Sequence, residues 1–195
     1  MTFFTARVTE PDKDDWKKSL HLMSHLKDTV DSSLTLEADD LRSLRWLMDA
    51  AHAVHHDMKG HTGAGLTSGK GLVHSNSVKQ KINGKSSTEI ESIGFDDVVA
   101  QVSWTNHFVE AQGWSVTTKA YQDNRSAMSS EHNGRLSSGN RTKHTNVRHC
   151  FVKDCIDQKE FTIEHLGTDE MWSDCFTKPL QGEKFIKFRK TIVNL

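Results

Sequence analysis

The chain has 195 residues, of which 35% are hydrophobic, so it can bury one main core and is not a disordered sequence. Its 25 Lys and Arg residues nearly balance its 26 Asp and Glu residues, which excludes a strongly basic protein; any affinity for nucleic acid must come from local basic patches. Three cysteines without zinc-type spacing, together with the lack of a signal peptide or membrane span, favour an intracellular protein.

The first forty residues are heavily charged but contain one apolar stripe. Four apolar residues recur there at near-helical spacing: Trp16, Leu20, Met23 and Leu26. This spacing predicts a helix whose stripe packs on a partner surface.

Three strands are predicted next. Residues 41–50, LRSLRWLMDA, alternate in hydrophobicity, which predicts a strand that ends at Asp49. From Gly60 to about residue 82, a glycine-spaced sequence predicts two further strands joined by a turn around Gly69 and Gly71.

Helices and strands alternate in the rest of the prediction. A helix runs from about Ile90 to Trp104, and a shorter helical piece after it ends at Gly113. The later segments are a strand in SVTTKAYQD that ends at Asp123, a helix in NRSAMSSEHNG, a basic loop in RLSSGNRTKHTNVRH, a helix in CFVKDCI, a strand in EFTIEHL, and a final helix in TDEMWSDCFTKPL that Pro179 stops.

Two glutamates stand near the start of the first long helix, in KSSTEIESIGF. Ser86 with Glu89 and Thr88 with Glu91 both fit a capping box, yet a helix has only one start. Glu91 lies on the border of the apolar face, whereas Glu89 points roughly the opposite way. We therefore expect Glu89 to cap the helix with Ser86 and Glu91 to face whatever the helix packs on.

Four carboxylates occupy notable positions in this order of elements: Asp49 and Asp123 at strand ends, Glu91 near a helix start, and Asp174 in the last helix. Open sheets place their sites at strand ends. Because converging carboxylates repel one another unless hard cations hold them, the set favours a metal site.

Four segments, VKQKINGKSSTEIES, YQDNRSA, RTKHTNVRHCFVKD and MWSDCFTKPL, together resemble the ribonuclease H domain of copia-type LTR retrotransposon Pol polyproteins. The resemblance covers about residues 41–180; residues 1–40 resemble the connection that follows a reverse transcriptase, and residues 181–195 form a basic C-terminal tail. It implies an α/β, ribonuclease H-like fold with a mixed five-stranded sheet and helices on both faces.

The resemblance also implies a function. Asp49, Glu91, Asp123 and Asp174 would be a catalytic tetrad that holds two Mg²⁺ ions, with Mn²⁺ as a substitute, and Glu89 is the fallback for Glu91. The reaction would be endonucleolytic hydrolysis of the RNA strand of RNA/DNA hybrids during reverse transcription. The implied partner is the reverse transcriptase of the parent polyprotein, in a cytoplasmic virus-like particle without a membrane.

Several further residues are candidates around that site. His165 could be an auxiliary catalytic histidine, although a solvated imidazole at a strand end is an ordinary feature. Local basic and hydrogen-bonding residues could contact the hybrid: Asn124, Lys85, Arg141, Lys143 and His144.

Two other interpretations remain open. A catalytically silent retroelement remnant, which at most binds nucleic acid, would explain polar residues such as Ser92 at positions where the family carries apolar ones. A histidine-rich zinc protein is the other, but a solvated loop is the more economical explanation for its residues: His52, His55, His56 and His61.

Overall fold

The computed structural model of the chain describes residues 8–133 and 143–195, and for residues 143–149 it describes the helical backbone alone. The strands are β1 (Glu37–Ala38), β2 (Ser43–Ala51), β3 (His61–Thr67), β4 (Gly69–Lys70), β5 (His74–Lys79), β6 (Thr117–Gln122) and β7 (Thr162–His165). The helices are α1 (Lys13–Asp28), α2 (Ser87–Ala111), α3 (Arg125–Asn133), α4 (Lys143–Asp157), α5 (Asp174–Thr177) and α6 (Gly182–Val193).

A mixed five-stranded sheet forms the centre of the fold, in the order β5-β3-β2-β6-β7. The first three of its strands pair antiparallel, as β2 with β3 and β3 with β5, whereas β6 joins β2 in parallel and β7 joins β6 in parallel. β1 and β4 form a separate two-stranded ribbon. The predicted mixed five-stranded sheet, with three antiparallel strands first, is confirmed.

The central strand β2 divides its side chains between two cores, because successive side chains of a strand point to opposite faces. Leu44, Trp46 and Met48 pack in one core with residues of α2 and α4. Leu47 packs in the other core with Met171, Trp172 and residues of α6. Asp49 therefore belongs to the side of the sheet that α5 and α6 cover, whereas Ala50 packs on α2.

Three boundaries differ from the prediction. α2 is one helix as far as Ala111 and not two pieces, because no residue between 104 and 111 breaks a helix, and Gly113 at φ 89° follows its end. The segment predicted as a basic loop is helical from residue 143 onward. The last predicted helix shrinks to α5, because Met171 and Trp172 before it are both buried in the second core and are held there by short turn bonds.

The two ends of the chain behave differently. In α1, capped by Asp12, the predicted stripe is exposed, with Trp16 67% and Met23 62% accessible. The C-terminal segment forms α6, whose Phe188 is 1% exposed in the second core. Within the described ranges, no helix is both long enough and apolar enough to cross a membrane.

Candidate active site

Three acidic side chains converge at the end of the central strands. Asp49 is near the end of β2, Asp123 follows β6, and Glu91 comes from the first turns of α2. Each offers a carboxylate oxygen, and these three oxygens lie within 4.8 Å of one another. We call these three residues the acidic triad. Their spacing and hard oxygen donors make the triad compatible with a divalent metal ion.

The start of α2 separates the two glutamates as predicted. The backbone N–H of Glu89 donates to Ser86 Oγ at 3.2 Å, and the Glu89 carboxylate accepts the backbone N–H of Lys85 at 2.8 Å, so Glu89 caps the helix. Glu91 is 8% exposed, and its Oε2 accepts the backbone N–H of Ala50 at 3.1 Å. The facing argument is confirmed: Glu91 is turned towards the end of β2.

The environment of Glu91 strongly favours its neutral form. Burial is the largest cause, and the nearby Asp49 and Asp123 carboxylates add to it, so the pKa of Glu91 rises to about 9. Burial likewise raises the pKa of Asp49, against the opposing charge of Lys178. Asp123 is less deeply buried, and its Oδ2 accepts the hydroxyl of Thr168 at 3.1 Å. A divalent ion at the triad would therefore take the place of a bound proton.

Asp174, the fourth predicted ligand, is held in another way. It is 1% exposed, and its Oδ1 accepts the Lys178 ammonium at 2.7 Å while its Oδ2 accepts the Lys184 ammonium at 2.7 Å. Lys178 Nζ also lies 3.3 Å from both carboxylate oxygens of Asp49. Burial alone would raise the pKa of Asp174, but the two lysines outweigh it and lower that pKa. The structure thus brings three of the four predicted carboxylates together and pairs the fourth with lysines.

Short-range packing fixes α5 against the sheet. Gly63 is the register partner of Asp49, and a Cβ atom there would meet Thr177 Cγ2 at 2.6 Å and Phe176 Cβ at 2.9 Å. This close approach lets the Thr177 hydroxyl donate to Asp49 Oδ2. Sequence reasoning did not find Thr177, Lys178 or Lys184; the only local signal was that Lys178 stands four residues after Asp174, the spacing of neighbours on a helix face.

The predicted solvated histidine loop is wrong for His55 and His61. They are 8% and 0% exposed, and His55 Nε2 lies 2.9 Å from His61 Nδ1. His61 Nε2 lies 2.9 Å from Ser77 Oγ, and Ser77 donates its proton to the Phe176 carbonyl at 2.9 Å. A neutral His61 with its proton on Nε2 is compatible with these contacts, and burial and His55 lower the pKa of His61 to about 4. The pairing of β3 with β5 places His61 beside Ser77, which bonds to α5, and His55 packs on His61; no local pattern encodes these contacts.

Three other predicted residues that the structure describes, Asn124, Lys85 and His165, are not members of the acidic triad. Asn124 Oδ1 accepts the backbone N–H groups of Ser126 and Ala127 and so caps α3. Lys85 is exposed before α2, and His165 is exposed at the end of β7. Arg141 lies outside the described residues, and Lys143 and His144 are described by their helical backbone alone. Their roles remain predictions.

The sequence of the chain is similar to part of a known polyprotein. No family model matches the chain. The chain is 27% identical over 180 residues to the retrovirus-related Pol polyprotein from transposon TNT 1-94 of Nicotiana tabacum, a match that covers 91% of this chain and 13% of that polyprotein. The chain thus spans about an eighth of the length of that relative.

The solved structures that are similar to the chain have low sequence identity to it. Ribonuclease H1 LC11, isolated from compost by a metagenomic approach, superposes with a TM-score of 0.53 at 9% identity, over 70% of this chain and 93% of that one. The N-terminal ribonuclease H domain of a Mycobacterium tuberculosis protein gives a TM-score of 0.48 at 9% identity, over 69% of this chain and 90% of that one. The chain therefore has a ribonuclease H-like fold, and its sequence is similar to one part of a retrotransposon Pol polyprotein.

Proposed function

We propose that the chain hydrolyses the RNA strand of RNA/DNA hybrids, as a metal-dependent endonuclease that serves reverse transcription. The observation that carries the proposal is the acidic triad: Asp49, Glu91 and Asp123 meet at the strand ends of a ribonuclease H-like fold. Asp49 and Glu91 are buried, and the mutual repulsion of converging carboxylates raises the free energy of their charged state, which a bound cation would lower.

The residues of the triad fit Mg²⁺, with Mn²⁺ as a substitute, because all three offer hard oxygen donors. When bound, such an ion supplies positive charge that activates a water molecule and stabilises the developing charge on the phosphate. In the overall reaction, the water oxygen bonds to phosphorus and the bond from phosphorus to O3′ breaks. O3′ takes a proton, which leaves a 3′-hydroxyl and a 5′-phosphate.

The chain's own residues orient the carboxylates for this task. Asp49 is held by the Thr177 hydroxyl, Glu91 by the backbone N–H of Ala50, and Asp123 by the Thr168 hydroxyl. Glu91 and Asp123 each use one oxygen in these bonds, whereas Asp49 also accepts the Lys178 ammonium through Oδ1. Each carboxylate keeps further acceptor capacity for an ion, because a carboxylate has about four lone-pair sites. Two bound ions, which the resemblance implies, would also need Asp174.

Hybrid recognition is the substrate part of the proposal. Ribonuclease H1 LC11 has also been solved in complex with an RNA/DNA hybrid. In this chain Lys85 is exposed six residues before Glu91, and Asn124 directly follows Asp123. A duplex phosphate near Lys85 and a sugar edge near the Asn124 amide would anchor a hybrid over the triad.

We also propose that the polymerase part of a longer Pol polyprotein packs on α1. The stripe of α1 exposes Trp16, Leu20 and Met23 by half or more, and the matched relative is a polyprotein about eight times longer. A chain extended by its polymerase segment, assembled in a cytoplasmic particle, should protect Trp16 and Met23 from hydroxyl-radical oxidation. Equal oxidation with and without that segment would contradict this contact.

The test of the nuclease is a matched pair of substitutions on one helix. Purified parent chain with Mg²⁺ or Mn²⁺ should cut the labelled RNA strand of a hybrid and leave 5′-phosphates. Glu91→Gln should lose cleavage by a factor of about 100 or more, because one oxygen ligand of the triad is replaced by an amide. Glu89→Gln, two residues away in the cap, should retain most of the activity.

One observation favours the silent-remnant alternative. Ser92, next to Glu91, is 4% exposed, and its hydroxyl has no hydrogen-bond partner among the described residues. A buried hydroxyl without a partner destabilises the fold near the site. A folded parent that binds hybrid but cuts nothing with either metal would support the remnant and overturn the nuclease.

A further inference from the structure

Lys178 is placed where it can act as a permanent cation of the site. Its ammonium contacts Asp174 Oδ1 at 2.7 Å and lies 3.3 Å from both oxygens of Asp49. Its ammonium is within ion-pair distance of Asp49 and of Asp174, so Lys178 lies between these two carboxylates. This is the place where a second ion, bound by Asp49 and Asp174, would have to lie.

We propose that Lys178 takes the place of the second divalent ion, so that the chain works with one ion at the triad. The inference rests on the proposed nuclease function and deepens it. It departs from the two-ion arrangement that the family resemblance implies.

Both oxygens of Asp174 are already engaged by ammonium groups, since Lys184 of α6 occupies Oδ2 at 2.7 Å. An ion that bound Asp174 would have to displace a lysine or lie close to its ammonium group, at a carboxylate that is 1% exposed. Like charges at such separations repel strongly in a partly buried site. The lysine pair therefore opposes a second ion on this side, while the triad side keeps its oxygen donors.

The backbone fixes Lys178 independently of its charge. Its N–H donates to the Asp174 carbonyl at 2.9 Å, and its extended conformation, φ −127° and ψ 141°, is the one that the following Pro179 favours. α5 itself is held by the contact at Gly63 and by the Ser77 bond to Phe176. The cation thus stands on a rigid element, as a positioned group must.

Lys178 also has a donor to offer the substrate. An ammonium has three hydrogens, and Asp49 and Asp174 together use two. The side chain is 39% exposed, so the third hydrogen can reach a phosphate oxygen that approaches the triad from solvent. Positive charge would then act on the phosphate from two sides, from the triad ion and from Lys178.

The test counts bound Mn²⁺ by electron paramagnetic resonance on the full chain with a hybrid whose 2′-O-methylated RNA resists cleavage. The parent should bind one ion per chain. Lys178→Met, which keeps the length and removes the charge, should bind two, because Asp49 and Oδ1 of Asp174 are then free to hold an ion, while Lys184 keeps Oδ2. Lys178→Arg and Lys184→Met should both stay at one, since the first keeps the charge and the second leaves Lys178 in place.

Cleavage kinetics supply a second readout. At low Mn²⁺, Lys178→Met should cut a normal hybrid about 100-fold more slowly than the parent, because one positioned charge is lost. High Mn²⁺ should restore much of the cleavage rate of Lys178→Met. The rate of this variant should rise with the square of the Mn²⁺ concentration, whereas the rate of the parent should rise with its first power.

Two ions per parent chain, or a Lys178→Met variant with an unchanged count and an unchanged rate, would overturn the role of Lys178. If the parent cuts no hybrid with either metal, the proposed nuclease function fails, whereas the ion counts still decide whether Lys178 excludes a second ion.

Discussion

Glu91 and Asp174 are both buried carboxylates beside Asp49, yet their neighbours give them opposite charge behaviour. Burial, with Asp49 and Asp123 nearby, raises the pKa of Glu91 to about 9. Burial acts in the same direction on Asp174, but Lys178 and Lys184 outweigh it and lower that pKa. The depth of burial alone therefore does not set the charge of an acid in this site. A cation near Glu91 would relieve the repulsion between the triad carboxylates, whereas Asp174 is already paired with the Lys178 and Lys184 ammonium groups.

Asp49 belongs to both sides, so its substitution should have the largest effect. Asp49→Asn should lower single-turnover cleavage of a hybrid by about 1,000-fold, because the amide offers one oxygen in place of two and turns an N–H group towards Thr177 or Lys178. Asp57→Asn, which changes an exposed aspartate paired with Lys79, should cut like the parent. Activity of Asp49→Asn within tenfold of the parent would remove Asp49 from the site.

Substitution of Glu91 should separate stability from activity. Because the folded pKa of about 9 exceeds the unfolded value near 4.5, the folded chain binds more protons between these values and loses stability as the pH rises through them. Glu91→Gln should therefore stabilise the metal-free chain at pH 8 by about 2–4 kcal/mol, which corresponds to roughly 5–10 °C in Tm, while abolishing cleavage.

The stabilisation by Glu91→Gln should nearly vanish at pH 5, because the Glu91 carboxyl of the folded parent is neutral there and hardly destabilises the fold. Thermal melts in EDTA at both pH values measure it. Glu89→Gln serves as the control on the same helix and should show no gain, since Glu89 is a cap. A melting temperature of Glu91→Gln equal to that of the parent at pH 8 would contradict the raised pKa.

Replacement of Asp174 by its amide should have the opposite effect on stability from that of Glu91→Gln. Asp174→Asn should destabilise the metal-free chain at pH 8 by about 2–3 kcal/mol, because two ammonium groups lose their carboxylate; both lysines are about a third exposed, which keeps the loss below that of a fully buried pair. The loss should fade in acid, as the parent aspartate protonates at its lowered pKa.

Asp157→Asn provides the comparison for Asp174→Asn. Asp157 pairs with Lys153 at the surface, so its substitution should change the free energy of unfolding by less than about 0.5 kcal/mol. Stabilisation by Asp174→Asn would show that both sides of the site carry uncompensated negative charge.

A substitution in the packing between β3 and α5 should have a smaller effect on stability. Gly63→Ala places a methyl group 2.6 Å from Thr177 Cγ2, which should cost about 1–2 kcal/mol in urea unfolding and displace Lys178 from Asp49. Gly167→Ala meets nothing within 4 Å and should be nearly neutral. Equal midpoints for the two variants would show that α5 adapts without loss.

Local patterns predicted one part of this site and not the other. Strand alternation predicted Asp49 near the end of β2, which in the structure ends at Ala51. Helical facing and a cap distinguished Glu91 from Glu89. Both patterns depend on residues a few positions apart. The bonds of Asp49 to Thr177 and Lys178 cross 128 and 129 residues, and they depend on how α5 packs on β3. The hydrophobic periodicity of a sequence does not predict contacts between residues so far apart in the chain.

The same limit explains the other errors. His61 looks polar in sequence, but it is buried, and the pairing of β3 with β5 places it beside Ser77, which bonds to α5. The last helix was predicted too long, because Met171 and Trp172 pack in the second core through turns instead of a continuous helix. In each case tertiary packing overrode a local pattern.

The most direct test of the difference between the two sides is an anomalous-scattering map from crystals of the parent chain grown with Mn²⁺. We expect one manganese peak, among the oxygens of Asp49, Glu91 and Asp123, with the Lys178 ammonium still between Asp49 and Asp174. A peak between Asp49 and Asp174 with Lys178 turned away, or no peak at the triad, would contradict the account.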